Sequence, residues 1–235
     1  TNWSDGAGTL EEMAETARQH GYRYLLISDH TQSLAVAGGL TPEQLRAQRA
    51  EIDLLNQRWQ DFALLQGCEL EIKADGTLDF SNEVLAELDF VVASVHTSLR
   101  QERTQITERV MNALHNPYVD VIGHPSGRIL GQREESAVDL DAVIEAAVET
   151  GTALEVNSIP NRLDLDDVHV RRALGLGVQV AINSDAHHPG GLDSLRYGLA
   201  TARRGWATSS DVLNTMTLDE IRAWRRARIA RHIGT

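Results

Sequence analysis

The chain has 235 residues, with 34 acidic against 22 basic side chains, a net charge of −12, and Lys73 as its single lysine. That length accommodates one α/β barrel with a substantial core, read as one domain over 1–235, and the acidic balance offers no broad basic footprint for nucleic acid, so a phosphate partner has to be gripped locally. The lone Cys68, inside an apolar run, excludes an internal disulfide framework and predicts a buried thiol and a reducing, cytoplasmic setting. No apolar run approaches the ~18 residues of a membrane span and no leader is visible, so a soluble protein is expected.

After the turn-like Ser4-Asp5-Gly6, Thr9-Leu10-Glu11-Glu12 opens a capped helix that runs to about His20. Tyr22 to Ser28 is apolar and β-rich, the pattern of a parallel strand buried on both faces, and Asp29-His30 sits at its end. A small-residue loop from Gln32 to Gly39 leads to a helix with Pro42 in its first turn, reaching about Trp59. Phe62 to Ile72 is the next apolar run; its Glu69 and Glu71 share a face by the strand's period of two, one as a ligand candidate and the other as its neighbour. A turn at Asp75-Gly76 and a short helix over Asn82 to Leu88 precede the strand Phe90 to Val95, which ends in His96.

A helix over Glu102 to His115 is followed by the strand Tyr118 to Gly123 and the loop His124-Pro125-Ser126-Gly127-Arg128. Asp139 to Thr150 reads as helix, Thr152 to Asn157 as strand, Leu165 to Leu174 as helix, and Val178 to Asn183 as the strand that ends in Asp185-Ala186-His187. Ser194 to Arg204 is helical, and the tail from Thr217 is an amphipathic helix whose basic residues gather toward its C-terminus, as the helix dipole favours. Strands alternating with helices predict a parallel sheet with helices outside, and in (β/α) barrels the chemistry sits at the carboxyl ends of the strands.

Any one of these histidines, taken alone, reads as a satisfied polar residue at a strand end. Gathered at successive strand ends with Glu69 and Asp185, they form a set whose burial is costly without a cation, and a divalent metal resolves that cost. Mixed imidazole and carboxylate donors suit Mn²⁺ or Zn²⁺ better than Mg²⁺ or Ca²⁺. His20, His115, His169 and His232 fall on helices or helix ends and read as surface residues; His188 faces the mouth but duplicates His187.

Asp5 in WSDG, Asp29-His30, Glu69, His96, His124-Pro125 and Asp185-Ala186-His187 together resemble the metal motifs of the PHP (polymerase and histidinol phosphatase) family. The stretches GCELEIKADGTLDFSNEVLAELDFVVASVHTS, VIGHPSGRILG and LDLDDVHVRRALGLGVQVAINSDAH resemble the PHP domain at the C-terminus of bacterial family X DNA polymerases. The resemblance implies a distorted, seven-stranded, TIM-like (β/α) barrel with up to three Mn²⁺ or Zn²⁺ ions and phosphoesterase activity, in the polymerases a 3′–5′ exonuclease. It assigns Asp5, His30 and His187 to one metal, Glu69, His96 and His124 to another, and Asp185 to a third, with Glu69 bridging. Family members carry a His-x-His pair on a first strand directly before the position of Thr1. The chain is therefore expected to lack that strand and to be a piece of a longer protein, whose polymerase module lies N-terminal to it.

Arg128 and Arg162, in loops after strand ends, are the candidates for gripping phosphate oxygens, because guanidinium forks match them. Three functions compete: a phosphoesterase on DNA 3′ ends, a phosphatase on a small ester such as histidinol phosphate, and a structural domain without catalysis.

Overall fold

The structure, a computed structural model, describes residues 1–234. Its sheet holds six parallel strands in chain order, β1 (Tyr24–Ile27), β2 (Ala63–Glu71), β3 (Phe90–Ser94), β4 (Val121–Ile122), β5 (Ala153–Asn157) and β6 (Val180–Asn183). Around it lie helices α1 (Leu10–Gln19), α2 (Pro42–Asn56), α3 (Asn82–Ala86), α4 (Arg103–Leu114), α5 (Leu140–Thr150), α6 (Asp167–Gly175), α7 (Leu195–Arg204) and α8 (Leu218–Ile233). None of the described helices is long and apolar enough to cross a membrane.

The sheet curls into a half-barrel, and the two faces of each strand differ. Outward-facing Cys68, Leu70, Val91, Ala93, Ile122, Leu154, Val156, Val180 and Ile182 pack with α4, α5 and α6 in the main apolar core. The inward face changes character along the strands. Near the amino ends it is apolar, with Phe90, Val92, Val121, Ala153 and Ala181 meeting Leu213 and Ile221 at the barrel floor. Toward the carboxyl ends it turns polar through Glu69, Glu71, Ser94, Glu155, Asn157 and Asn183. A parallel register, such as Glu69 beside Val92 and Asn157 beside Asn183, keeps those polar ends at one mouth.

Local chemistry accounts for most boundaries. Thr9 and Glu12 cap α1 reciprocally, as do Thr41 and Gln44 on α2 and Thr217 and Glu220 on α8. The helix expected from Leu165 starts instead at Asp167, because the Asp166 side chain accepts from the His169 N–H and so caps it. The strand expected over Tyr118 to Gly123 pairs regularly only at Val121 and Ile122; Val119 N–H closes a turn on Asn116. His169 and His232, read as surface residues, are half-buried and bonded to Asp166 and to the Thr150 carbonyl, while His20 and His115 are exposed.

β1 also departs from expectation. Tyr24, Leu25 and Leu26 are only half-buried, because β1 is an edge of the sheet with β2 as its one partner. The opposite edge is β6, and between the two edges lies a cavity of about 580 Å³ whose walls include Tyr24, Leu26, Phe90, Val92, Leu213 and Ile221. At the floor, α8 is pinned by Arg225 and Arg228, which meet the fully buried Asp120 carboxylate at 2.9 and 2.6 Å.

Candidate metal centre

The residues singled out in the sequence lie in one unbroken run across the mouth. Asp5 stands 3.7 Å from His30 and 3.5 Å from His187, and His30 stands 3.4 Å from Glu69. Glu69 Oε1 is 3.1 Å from His96 Nε2 and 2.9 Å from His124 Nε2. Asp185 follows, 3.7 Å from His187. Two sets, Asp5, His30 and His187, and His30, Glu69 and His96, each bring donor atoms within 4.8 Å of one another, the spacing a single ion can gather. His188 is exposed and belongs to neither set.

Each member is held by its own element. Asp5 lies on a loop tied down by Ser4 Oγ, which donates to Asp29 Oδ1 at 2.6 Å, while Gln48 on α2 donates to Asp29 Oδ2 at 2.7 Å. Glu71 accepts from His96 Nδ1 at 2.7 Å and so turns the free Nε2 toward Glu69, the arrangement in which a carboxylate orients a metal-binding imidazole. The loop that carries His124 approaches its neighbour so closely that a Cβ on Gly123 would lie 2.3 Å from Ser94 Oγ. Only glycine fits there.

The donor set fits a divalent cation. His30 Nδ1, 3.4 Å from Glu69, is buried without a hydrogen-bond partner, an expensive condition that coordination relieves. Burial opposes ionisation of Glu69, yet His96 and His124 outweigh it and hold its carboxyl well below the usual range. Burial likewise opposes charge on His96, but Glu69 and Glu71 push it up to about 10. Without a metal, protons supply the positive charge these carboxylates need.

The two candidate arginines have different surroundings. Arg128 Nε donates to the Arg162 carbonyl at 2.9 Å, its Nη2 to the Leu163 carbonyl, and its Nη1 lies between Glu135 and Asp166 at 3.2 and 3.5 Å. Arg162 points its Nε at Asp185 from 3.7 Å and keeps a buried Nη1 with no partner. The sequence reading did not weigh Arg133, which is exposed and donates from Nε to the Gly127 carbonyl at 2.8 Å in the loop after His124. It also left Glu155 and Asn157 without a role, although both are buried beneath the centre. Glu155 is pushed up to about 7, mainly by burial. An acidic residue three positions into an otherwise apolar strand was the available signal.

A parallel half-barrel with imidazoles and carboxylates gathered at its strand ends is a scaffold whose mouth could hold a metal ion. Residues 1–159 match the PHP domain family, and the chain belongs to it. It is 46% identical over 224 residues to the DNA polymerase/3′-5′ exonuclease PolX of Bacillus subtilis (strain 168), a match covering 95% of this chain and 39% of that protein. The chain thus spans about two fifths of that relative. A probable phosphatase of Thermoanaerobacter sp. (strain X514) is 28% identical over 217 residues, covering 88% of this chain and 84% of that protein. Among solved structures, histidinol phosphate phosphatase of Lactococcus lactis, complexed with zinc, L-histidinol and phosphate, shares the fold with a TM-score of 0.61. That match is 15% identical and covers 86% of this chain and 90% of the other. Family and relatives together support a hydrolase of the phosphoesterase class.

Proposed function

We propose that this chain is the PHP phosphoesterase domain of a cytoplasmic family X DNA polymerase, which acts on phosphodiester bonds at DNA 3′ ends with Mn²⁺ or Zn²⁺. The observation that carries this reading is the 46% identity to PolX across 95% of the chain. In this reading Asp5, His30 and His187 would hold one ion, Glu69, His96 and His124 another, and Asp185 would contribute to a third together with Glu69. Bound divalent ions of this kind acidify water and offset the charge of a phosphate. The chain's own residues supply the rest. Arg162, whose Nε faces Asp185 from 3.7 Å, takes a phosphate oxygen with its guanidinium. Arg128 acts through it, bracing the Arg162 and Leu163 carbonyls and so the loop that carries Arg162. Glu71 keeps the His96 ring turned toward Glu69.

A second reading, hydrolysis of a small phosphate ester, is favoured by the probable phosphatase whose length this chain nearly spans. The two are separated by assaying the chain, extended at its N-terminus, with Mn²⁺ or Zn²⁺ on 3′-labelled DNA and on histidinol phosphate. The expected result is nucleotide release from DNA, abolished by Glu69→Ala and reduced roughly tenfold or more by Arg162→Ala. Turnover of histidinol phosphate with DNA left intact selects the second reading. Inertness toward both substrates points to a structural domain.

A further inference from the structure

Going from β1 to β6, every strand but one ends in a candidate metal ligand: His30, Glu69, His96, His124, and finally Asp185 with His187. The exception is β5, which lies between β4 and β6 in the sheet. Its inward side chains at the same level are Glu155 and Asn157, 4% and 0% exposed. Glu155 Oε2 accepts the His124 main-chain N–H at 2.6 Å and the Asn157 amide at 3.3 Å, while Oε1 accepts from Asn183 at 2.8 Å. The same Asn157 amide donates to Asp185 Oδ2 at 2.9 Å.

The residues reached by this network share an uncommon backbone. His124 has φ 26° and Asp185 φ 49°, in the left-handed region that residues with a side chain seldom occupy. Such conformations persist where the surroundings over-determine them. Here the surroundings are β5: one buried carboxylate fixes the main chain of His124 from below, and one amide fixes the carboxylate of Asp185.

We propose that Glu155, acting with Asn157, is the positioning residue of the centre, a hydrogen-bond acceptor that holds His124 and Asp185 where an ion can use them. The assignment rests on the metal-binding reading above. It requires acceptor oxygens at Glu155 and does not require its charge, since Asn183 can turn its amide to receive the Nε2 of a glutamine.

The test is Zn²⁺ titration by calorimetry of the chelator-stripped chain, with Co²⁺ visible spectra as a second readout and circular dichroism to establish folding. Glu155→Met is expected to weaken Zn²⁺ binding about 10- to 100-fold, the usual effect of losing a supporting partner, and to alter the Co²⁺ bands. Glu155→Gln, which keeps the acceptor, is expected to stay within about threefold of the parent on the same scale. Parent affinity in a folded Glu155→Met overturns the assignment. So does a Glu155→Gln as weak as Glu155→Met, because charge would then be what matters. Should Glu155→Met fail to fold, Asn157→Ala takes its place: weakened binding is expected, and parent affinity there overturns the proposal equally. A parent chain that takes up no Zn²⁺ sinks the metal reading itself, a result distinct from variants that match a competent parent.

Discussion

His96 carries the clearest pH signature among the individual residues. Pushed up to about 10 against the opposing effect of burial, it remains an imidazolium between Glu69 and Glu71 when no metal is present. A folded-state value above the unfolded 6.5 means that its stabilisation is fully present below pH 6.5 and lost as pH rises through about 10. Metal-stripped protein should therefore lose stability between those limits, on the order of a few kcal/mol, and His96→Gln should flatten the slope. Urea unfolding followed by circular dichroism across that range checks both; a slope unchanged in the variant would assign it to another group. Metal affinity should move the opposite way, rising with pH, because ligation requires the neutral ring.

Among the elements, α8 is fixed by charge more than by an apolar stripe. Its Arg225 and Arg228 converge on Asp120, which also accepts the Val91 N–H at 2.9 Å, so that one carboxylate joins the tail helix to the start of β4 and to β3. Asp120→Ala leaves two guanidinium groups facing a dry floor and should cost about 3 to 5 kcal/mol in denaturant unfolding. Replacing both arginines by methionine in the same variant should recover part of the loss; no recovery would mean that Asp120 serves mainly through Val91. The strands themselves were legible in the sequence, since apolar runs that stop at His30, Glu69, His96, His124 and Asp185 mark both the strand and its functional end. The contribution of β5 was not legible. Glu155 acts through atoms of neighbouring strands, and neither the left-handed φ at His124 and Asp185 nor the tethering of Arg128 leaves a mark in residue type. The half-exposure of β1 has the same origin, because strand composition does not reveal which strand will be an edge.

For the whole molecule, the open side of the half-barrel governs behaviour. β1 presents an unpaired edge beside a cavity of about 580 Å³, whereas on β6 the Asn214 side chain accepts from the Ile182 N–H at 2.7 Å and donates to its carbonyl at 2.9 Å; the Asp5 and Asp185 ends of the centre flank that opening. A chain extended before Thr1 by a strand that pairs with β1 should be more stable, bind more metal and cleave DNA faster than the chain alone. Metal analysis, thermal unfolding and an exonuclease assay on the two side by side check this; equality in all three would show the slot to be of no consequence. The cavity also affects how such measurements are made. Lined by Tyr24, Leu26, Phe90 and Ile221, it is large enough to admit a small aromatic dye. The native chain should therefore light up environment-sensitive fluorophores such as anilinonaphthalene sulfonate, imitating a molten globule while its packing is intact. Fluorescence-based melting curves would begin from a high baseline and fall as the pocket dissolves.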